Sequence, residues 1–197
     1  MSPSDPTYSR RVVEADIREE DEAGDPDAGP KGKGPAAHEG WGVMHVKAKL
    51  HAKQVFFRLC QLDRKFQDRS GQSVDPEYPE LTLLVVRKFT APPRDDTTPG
   101  GMEYAYLEGA SAKAASVGAR VDGVRGGEYL VVYKAAYGPE DTCRKLNLVV
   151  AGREDLVSGA VIKRIKPSSF KPAFFSRLLE RHAHRVKLAA HYDQPNL

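Results

Sequence analysis

Cysteine is scarce. Cys60 and Cys143 are the two in a chain of 197 residues, too few for a disulfide framework, so the expectation is two reduced thiols in a cytosolic protein. Tryptophan is scarcer still: Trp41 stands alone. No C-x-x-C or H-E-x-x-H pattern marks zinc. Gly100-Gly101 and Gly126-Gly127 lack the spacing of a phosphate-binding loop and read as turns. No apolar run approaches the roughly 18 residues needed to span a bilayer. Met1 to Pro6 has no apolar stretch of the signal-peptide kind, and the early acids argue against a transit peptide. Ser2 in place of a glycine argues against myristoylation. The expectation is a soluble cytoplasmic protein that is not an enzyme and carries no cofactor and no metal.

What the chain does have is charge, unevenly placed. Nine acids and three bases precede residue 28, leaving 18 acids and 27 bases in the remainder, so an acidic arm is joined to a basic body. A basic body suits an acidic partner: nucleic acid, an anionic lipid surface, or an acidic protein surface such as that of tubulin. Residues 1–40 read as a disordered, flexible arm and linker. Arg18 to Asp27 is too polar to offset its ordering entropy, and residues 29–35 are rich in glycine and proline. Tyr8, Val12, Val13 and Ile17 are the arm's apolar exceptions, in a tail where such residues are usually incidental.

From residue 41 to 166 the pattern is that of an antiparallel β-sandwich. Residues 45–50, 54–59 and 102–107 alternate with period two. Residues 81–89 form a β-branched run bounded by prolines. Residues 128–134 and 144–150 predict two more strands, with Gly138-Pro139-Glu140-Asp141 between them as a hairpin connection. Residues 62–78, 91–101 and 121–127 carry loop and turn chemistry, and 156–166 predicts a last short strand.

The period changes after residue 166. Ser168-Ser169 can cap a helix and Pro172 suits its first turn. Phe175, Leu178, Leu179, His182, Val186 and Ala189-Ala190 form one apolar stripe. Residues 167–197 are therefore expected to be a basic helix and tail. From Val161 onward there are eight bases and two acids. The residues expected to meet a partner are Lys163, Arg164, Lys166, Lys171, Phe174, Arg177, Arg181, Arg185 and Lys187, with Phe170 and Phe175 as further anchors. His182 and His184 are two apart, point to different sides of a helix, and do not share a metal ion. Cys60 lies in an apolar strand, where a cysteine is a small core residue rather than a nucleophile.

Three segments in fixed order resemble the C2-like β-sandwich of the calpain family, the non-catalytic domain that follows the protease core. They are Val55-Phe56-Phe57-Arg58-Leu59, then Leu81-Thr82-Leu83-Leu84-Val85-Val86, then Gly127-Glu128-Tyr129-Leu130-Val131-Val132 with Leu146-Asn147-Leu148-Val149-Val150 after it. The resemblance spans residues 43–165 and implies a sandwich in which the Gly-Glu-Tyr strand pairs with the final apolar strand. No counterpart of the protease site is present. The loop that is acidic in that family is here Asp63 to Arg69, of mixed sign, whereas a calcium site needs converging carboxylates. The expected function is a structural subunit of a large assembly, microtubule-based and so cytoskeletal or flagellar, binding through arm, sandwich and helix. The alternatives are an RNA-associated subunit of a ribonucleoprotein and a calcium- or lipid-responsive module. A membrane surface suits the helix poorly, because its apolar stripe ends in alanines.

Overall fold

Alternating side chains need two environments, and in the computed structural model two antiparallel sheets supply them. The structure describes residues 8–15, 38–48, 52–61, 78–91, 102–137 and 145–192. Strands β1 (Tyr8–Glu14), β8 (Leu146–Arg153), β3 (Ala52–Gln61) and β6 (Ser116–Val124) lie side by side in a four-stranded sheet. Strands β5 (Met102–Lys113), β4 (Glu80–Thr90), β7 (Gly127–Tyr137), β2 (His38–Ala48) and β9 (Val161–Ile165) form a five-stranded sheet. A short helix, α1 (Glu154–Gly159), precedes β9, and a 3-10 turn (Pro167–Ser169) leads to the long helix α2 (Pro172–Tyr192). The expected fold class, an antiparallel β-sandwich with a C-terminal helix, is the one observed.

Two apolar layers hold it together. The first lies between the sheets: Val55, Phe57 and Leu59 of β3 and Leu146, Leu148 and Val150 of β8 face Leu81, Leu83 and Val85 of β4 and Val131 and Tyr133 of β7. The second covers the outer face of the five-stranded sheet, where Val43, Leu84, Val86, Leu130 and Val132 meet Phe175 and Leu178 of α2. This explains the two sequence patterns. Leu81 to Val86 is buried at every position because β4 has apolar layers on both faces. β8 alternates because no described helix covers the outer face of its sheet.

That difference corrects the expected pairing of residues 128–134 with 144–150. β7 pairs with β4 and β2, whereas β8 pairs with β1 and β3 in the other sheet, so no hairpin joins them. The proposed connection at 138–141 lies outside the described residues, as do most of the loops at 62–78 and 91–101. Three further expectations change. Val121 to Val124 belongs to β6, and the turn narrows to Arg125-Gly126, with Gly127 after it at φ 153°, where glycine has no steric penalty. Residues 154–159 are helical, so the last strand shortens to β9. Ser168 and Ser169 lie in the 3-10 turn rather than at the start of α2, whose first residue is Pro172.

The boundary at residue 40 also moves. β2 begins at His38 and β1 lies inside the segment expected to be disordered. Val13 packs on the core and Ala15 is fully buried, with its N–H donating to Leu146 O at 2.8 Å. An edge strand needs few apolar residues of its own, because the partner strand supplies most of the pairing.

Candidate docking helix

Helix α2 has two halves with different surroundings. In the first, Phe175, Leu178 and His182 recur at i, i+3 and i+7 and are buried against the five-stranded sheet. Aromatic rings seat it. Phe175 lies 4.7 Å from Trp41, Phe174 lies 5.1 Å edge-on to Tyr104, and Phe170 stacks on Phe174 at 4.7 Å. Lys134 Nζ, opposite Trp41 in the β2–β7 register, sits 5.8 Å from the Trp41 ring centre. The helix thus packs on its own sandwich. Phe170, Phe174 and Phe175, expected to anchor a partner, pack here on the chain's own sheet.

His182 is the polar member of the seat. Tyr106 Oη lies 2.9 Å from its Nδ1 and Ser111 Oγ 3.3 Å from its Nε2. Ser111 donates onward to Thr82 at 3.0 Å. One consistent arrangement has Tyr106 donating to Nδ1 and Nε2–H donating to Ser111, which requires a neutral imidazole. Burial pushes the His182 pKa below its ordinary value, partly offset by the Glu108 carboxylate. The same burial, with Glu108 adding to it and Arg185 opposing, pushes the Tyr106 phenol up to about 12. Neither group carries charge at neutral pH. In that arrangement the Ser111 hydroxyl proton goes to Thr82.

The second half has no seat among the described residues. Every residue from Ala183 to Ala190 is exposed, including Val186 at 53% and Leu188 at 43%. The apolar stripe expected to run the length of the helix therefore stops being core after His182, and Val186, Ala189 and Ala190 continue it into solvent.

The structure separates the nine expected contact residues. Arg177, Arg181 and Arg185 follow one another at i, i+4 and i+8 along one flank, all exposed. Arg181 Nη1 donates to Tyr104 O at 3.2 Å, which ties this flank to β5. Arg177 and Arg181 overhang a shallow groove of about 310 Å³ whose floor is Met102, Glu103 and Tyr104. Lys187 is exposed on the same projecting half. Lys163 and Arg164 lie instead on β9, at the opposite edge of the sheet from β5. Lys163 is exposed opposite His45 in the register, and Arg164 is partly buried opposite Met44. Lys166 and Lys171 are exposed on the connection between them. Phe174 is half-buried in the aromatic seat.

Sequence reasoning missed two features. The seat itself uses Trp41, Tyr104 and Tyr106, and the spacing of Tyr104 and Tyr106 on one face of a strand was its visible signal. The other is a polar cluster on the outer face of the five-stranded sheet. Lys88 Nζ lies 2.7 Å and His45 Nε2 3.4 Å from Glu128 Oε2. The hydrogen bond from Lys88 holds the Glu128 carboxyl below the usual carboxylate range and raises the Lys88 ammonium. Cys60 is half-buried in β3, where burial pushes its thiol up, away from reactivity. Among the described residues no group of three or more His, Cys, Asp or Glu side chains is placed to hold a metal ion. No described helix is long and apolar enough to cross a membrane.

The architecture is a helix-backed antiparallel β-sandwich. No family model and no curated protein matches the chain. Among solved structures, a crystal structure of a protein from Sulfurospirillum deleyianum is similar at a TM-score of 0.31 and 8% identity, covering 74% of this chain and 98% of that one. A structure of the empty turnip yellow mosaic virus head is similar at a TM-score of 0.24 and 8% identity, covering 87% and 88%.

Proposed function

We propose that this protein is a non-catalytic scaffold subunit that docks an acidic protein surface through the projecting half of α2. The supporting observation is the split of that helix. Its first half is bound to its own sheet, and its second half exposes Arg185, Lys187, Val186 and Leu188. Basic side chains beside aliphatic ones suit a protein surface that carries carboxylates around an apolar centre. RNA fits less well, because base stacking needs exposed aromatics, and the phenylalanines of this segment are in the seat. Tubulin, with its acidic surface, is the partner we favour, which places the protein in the cytoskeleton or a flagellum.

The test is co-sedimentation of the full chain with microtubules at low salt. The expected result is binding that weakens at least tenfold in the triple variant Arg177→Glu, Arg185→Glu, Lys187→Glu and fades at high ionic strength. These positions are exposed, so the variant should keep the fold, which circular dichroism checks. No binding at low salt rejects tubulin. Binding that the triple variant leaves unchanged rejects the helix. RNA crosslinking that the same three substitutions abolish would move the reading to RNA.

A further inference from the structure

β1 closes one edge of the four-stranded sheet while contributing little to the core. It ladders onto β8 in full register, from Tyr8 opposite Arg153 to Glu14 opposite Asn147. Val13 and Ala15 turn inward, Arg11 Nη1 donates to Ala160 O at 2.8 Å, and Val12 is 55% exposed on the outer face. Beneath it, β8 turns Leu146, Leu148 and Val150 into the core. Such an edge accepts any strand that brings small or aliphatic side chains to the Val13 and Ala15 positions.

The connection out of β1 is long. β1 belongs to one sheet and β2 to the other, and residues 16–37 join them. That stretch reaches roughly 70 Å when fully extended, several times the radius of gyration of about 15 Å expected for a domain of this size.

We infer that β1 is an exchangeable strand, and that the β8 edge is an interaction site whose occupant is the β1 of a second copy of this chain. Reciprocal exchange of Tyr8–Glu14 closes a twofold dimer that keeps every ladder hydrogen bond and both inward contacts. Because the bonds are the same in one chain or between two, chain concentration sets the balance. It competes with the effective concentration of the tethered strand, on the order of a millimolar. A crowded assembly reaches that regime. The inference is independent of the helix reading, since it uses the other sheet.

The register supplies a direct test. Ala15 N donates to Leu146 O, and hydrogen-bonded pairs alternate along an antiparallel ladder. Val12 and Val149 are therefore a non-hydrogen-bonded pair, with the close side chains that a disulfide needs. Two full-length chains, one Val12→Cys and the other Val149→Cys, both carrying Cys60→Ser and Cys143→Ser, are mixed and mildly oxidised. The expected result is a mixed disulfide between the two chains, identified by mass spectrometry. Its yield should rise from near background at about 10 µM to a substantial fraction at about 1 mM. Adding Val13→Asp to the first chain unseats β1 and sets the background from random collision. The double variant Val12→Cys, Val149→Cys should close within one chain when dilute. If it closes and the mixture never exceeds background, exchange is refuted. If it fails to close, β1 does not sit on β8, and the inference falls with it.

Discussion

Gly42 should be among the least replaceable residues of the sandwich. It lies opposite Tyr133 in the β2–β7 register, and the Tyr133 ring is fully buried directly over it. A Cβ at position 42 would fall inside the van der Waals envelope of Tyr133 Cζ, Cε2 and Oη. With the core on every side the ring has no free space to enter, so Gly42→Ala must twist it off its rotamer or part β2 from β7. The first costs about 1 kcal/mol, and overpacking adds about 1–3 kcal/mol, giving about 2–4 kcal/mol in all. With an m-value near 2 kcal/mol/M, the urea midpoint falls by about 1–2 M. Gly118→Ala is the control. Its nearest neighbours would be Phe57 O at 3.5 Å and Arg58 Cγ at 3.9 Å, ordinary contacts, so stability should stay within about 0.5 kcal/mol of the parent. Combining Gly42→Ala with Tyr133→Leu should cost at least 1 kcal/mol less than the sum of the two. If Gly42→Ala unfolds at the same urea concentration as Gly118→Ala, the close approach of ring and backbone does not exist.

Two further outcomes concern the helix seat. Burial lowers the His182 pKa below the ordinary value of about 6.5, so the folded state binds fewer protons than the unfolded one in the window beneath that value. Stability is then complete above about pH 6.5 and lost as the pH falls through the window. Trp41, stacked on Phe175, should report this by fluorescence, and a slope unchanged in His182→Gln would show that Tyr106, Ser111 and Glu108 do not surround the imidazole as described. Phe175→Ala should cost about 3–4 kcal/mol and expose Trp41, whereas Leu188→Ala should stay within about 0.5 kcal/mol in urea denaturation; equal losses would put the whole helix in the core.

Much of the sandwich was legible because burial imposes period. β4 and β7 read as strands from unbroken β-branched runs, and those runs are unbroken because α2 covers the face that would otherwise be polar. What the pattern did not state was the partner of each strand. Residues 128–134 and 144–150 are close in sequence, and a turn-rich stretch between strands favours a hairpin locally. The sheet assignment is set instead by pairing of residues 146–153 with β1 and β3, strands that lie far away in sequence. β1 was hidden for a related reason. Tyr-Ser-Arg-Arg-Val-Val-Glu has two consecutive apolar residues among charges, and nothing local distinguishes an edge strand from a tail until β8 is there to pair with it. At the helix, charge was legible and its partition was not. Arg177 and Arg185 are as basic in sequence as Lys163, yet the five-stranded sheet separates them by its full width. The three phenylalanines looked like anchors for a partner because an amphipathic stripe is the same whether its apolar face meets its own chain or another.

The split in α2 separates folding from binding within one element. A helix of about ten residues, the length of the projecting half, is marginal in water on its own, so that half depends on the seated half for its order. Phe175, Leu178 and His182 fix the axis, and the stretch beyond them rises about 1.5 Å per residue, extending roughly 10–15 Å past the last core contact. Charges on that extension are exposed and contribute little to stability, while remaining accessible to a partner. Substitutions there should change binding without changing unfolding, and substitutions in the seat should change both. A scaffold subunit needs this arrangement, with a docking surface held at a fixed angle by a core whose integrity does not depend on what is docked.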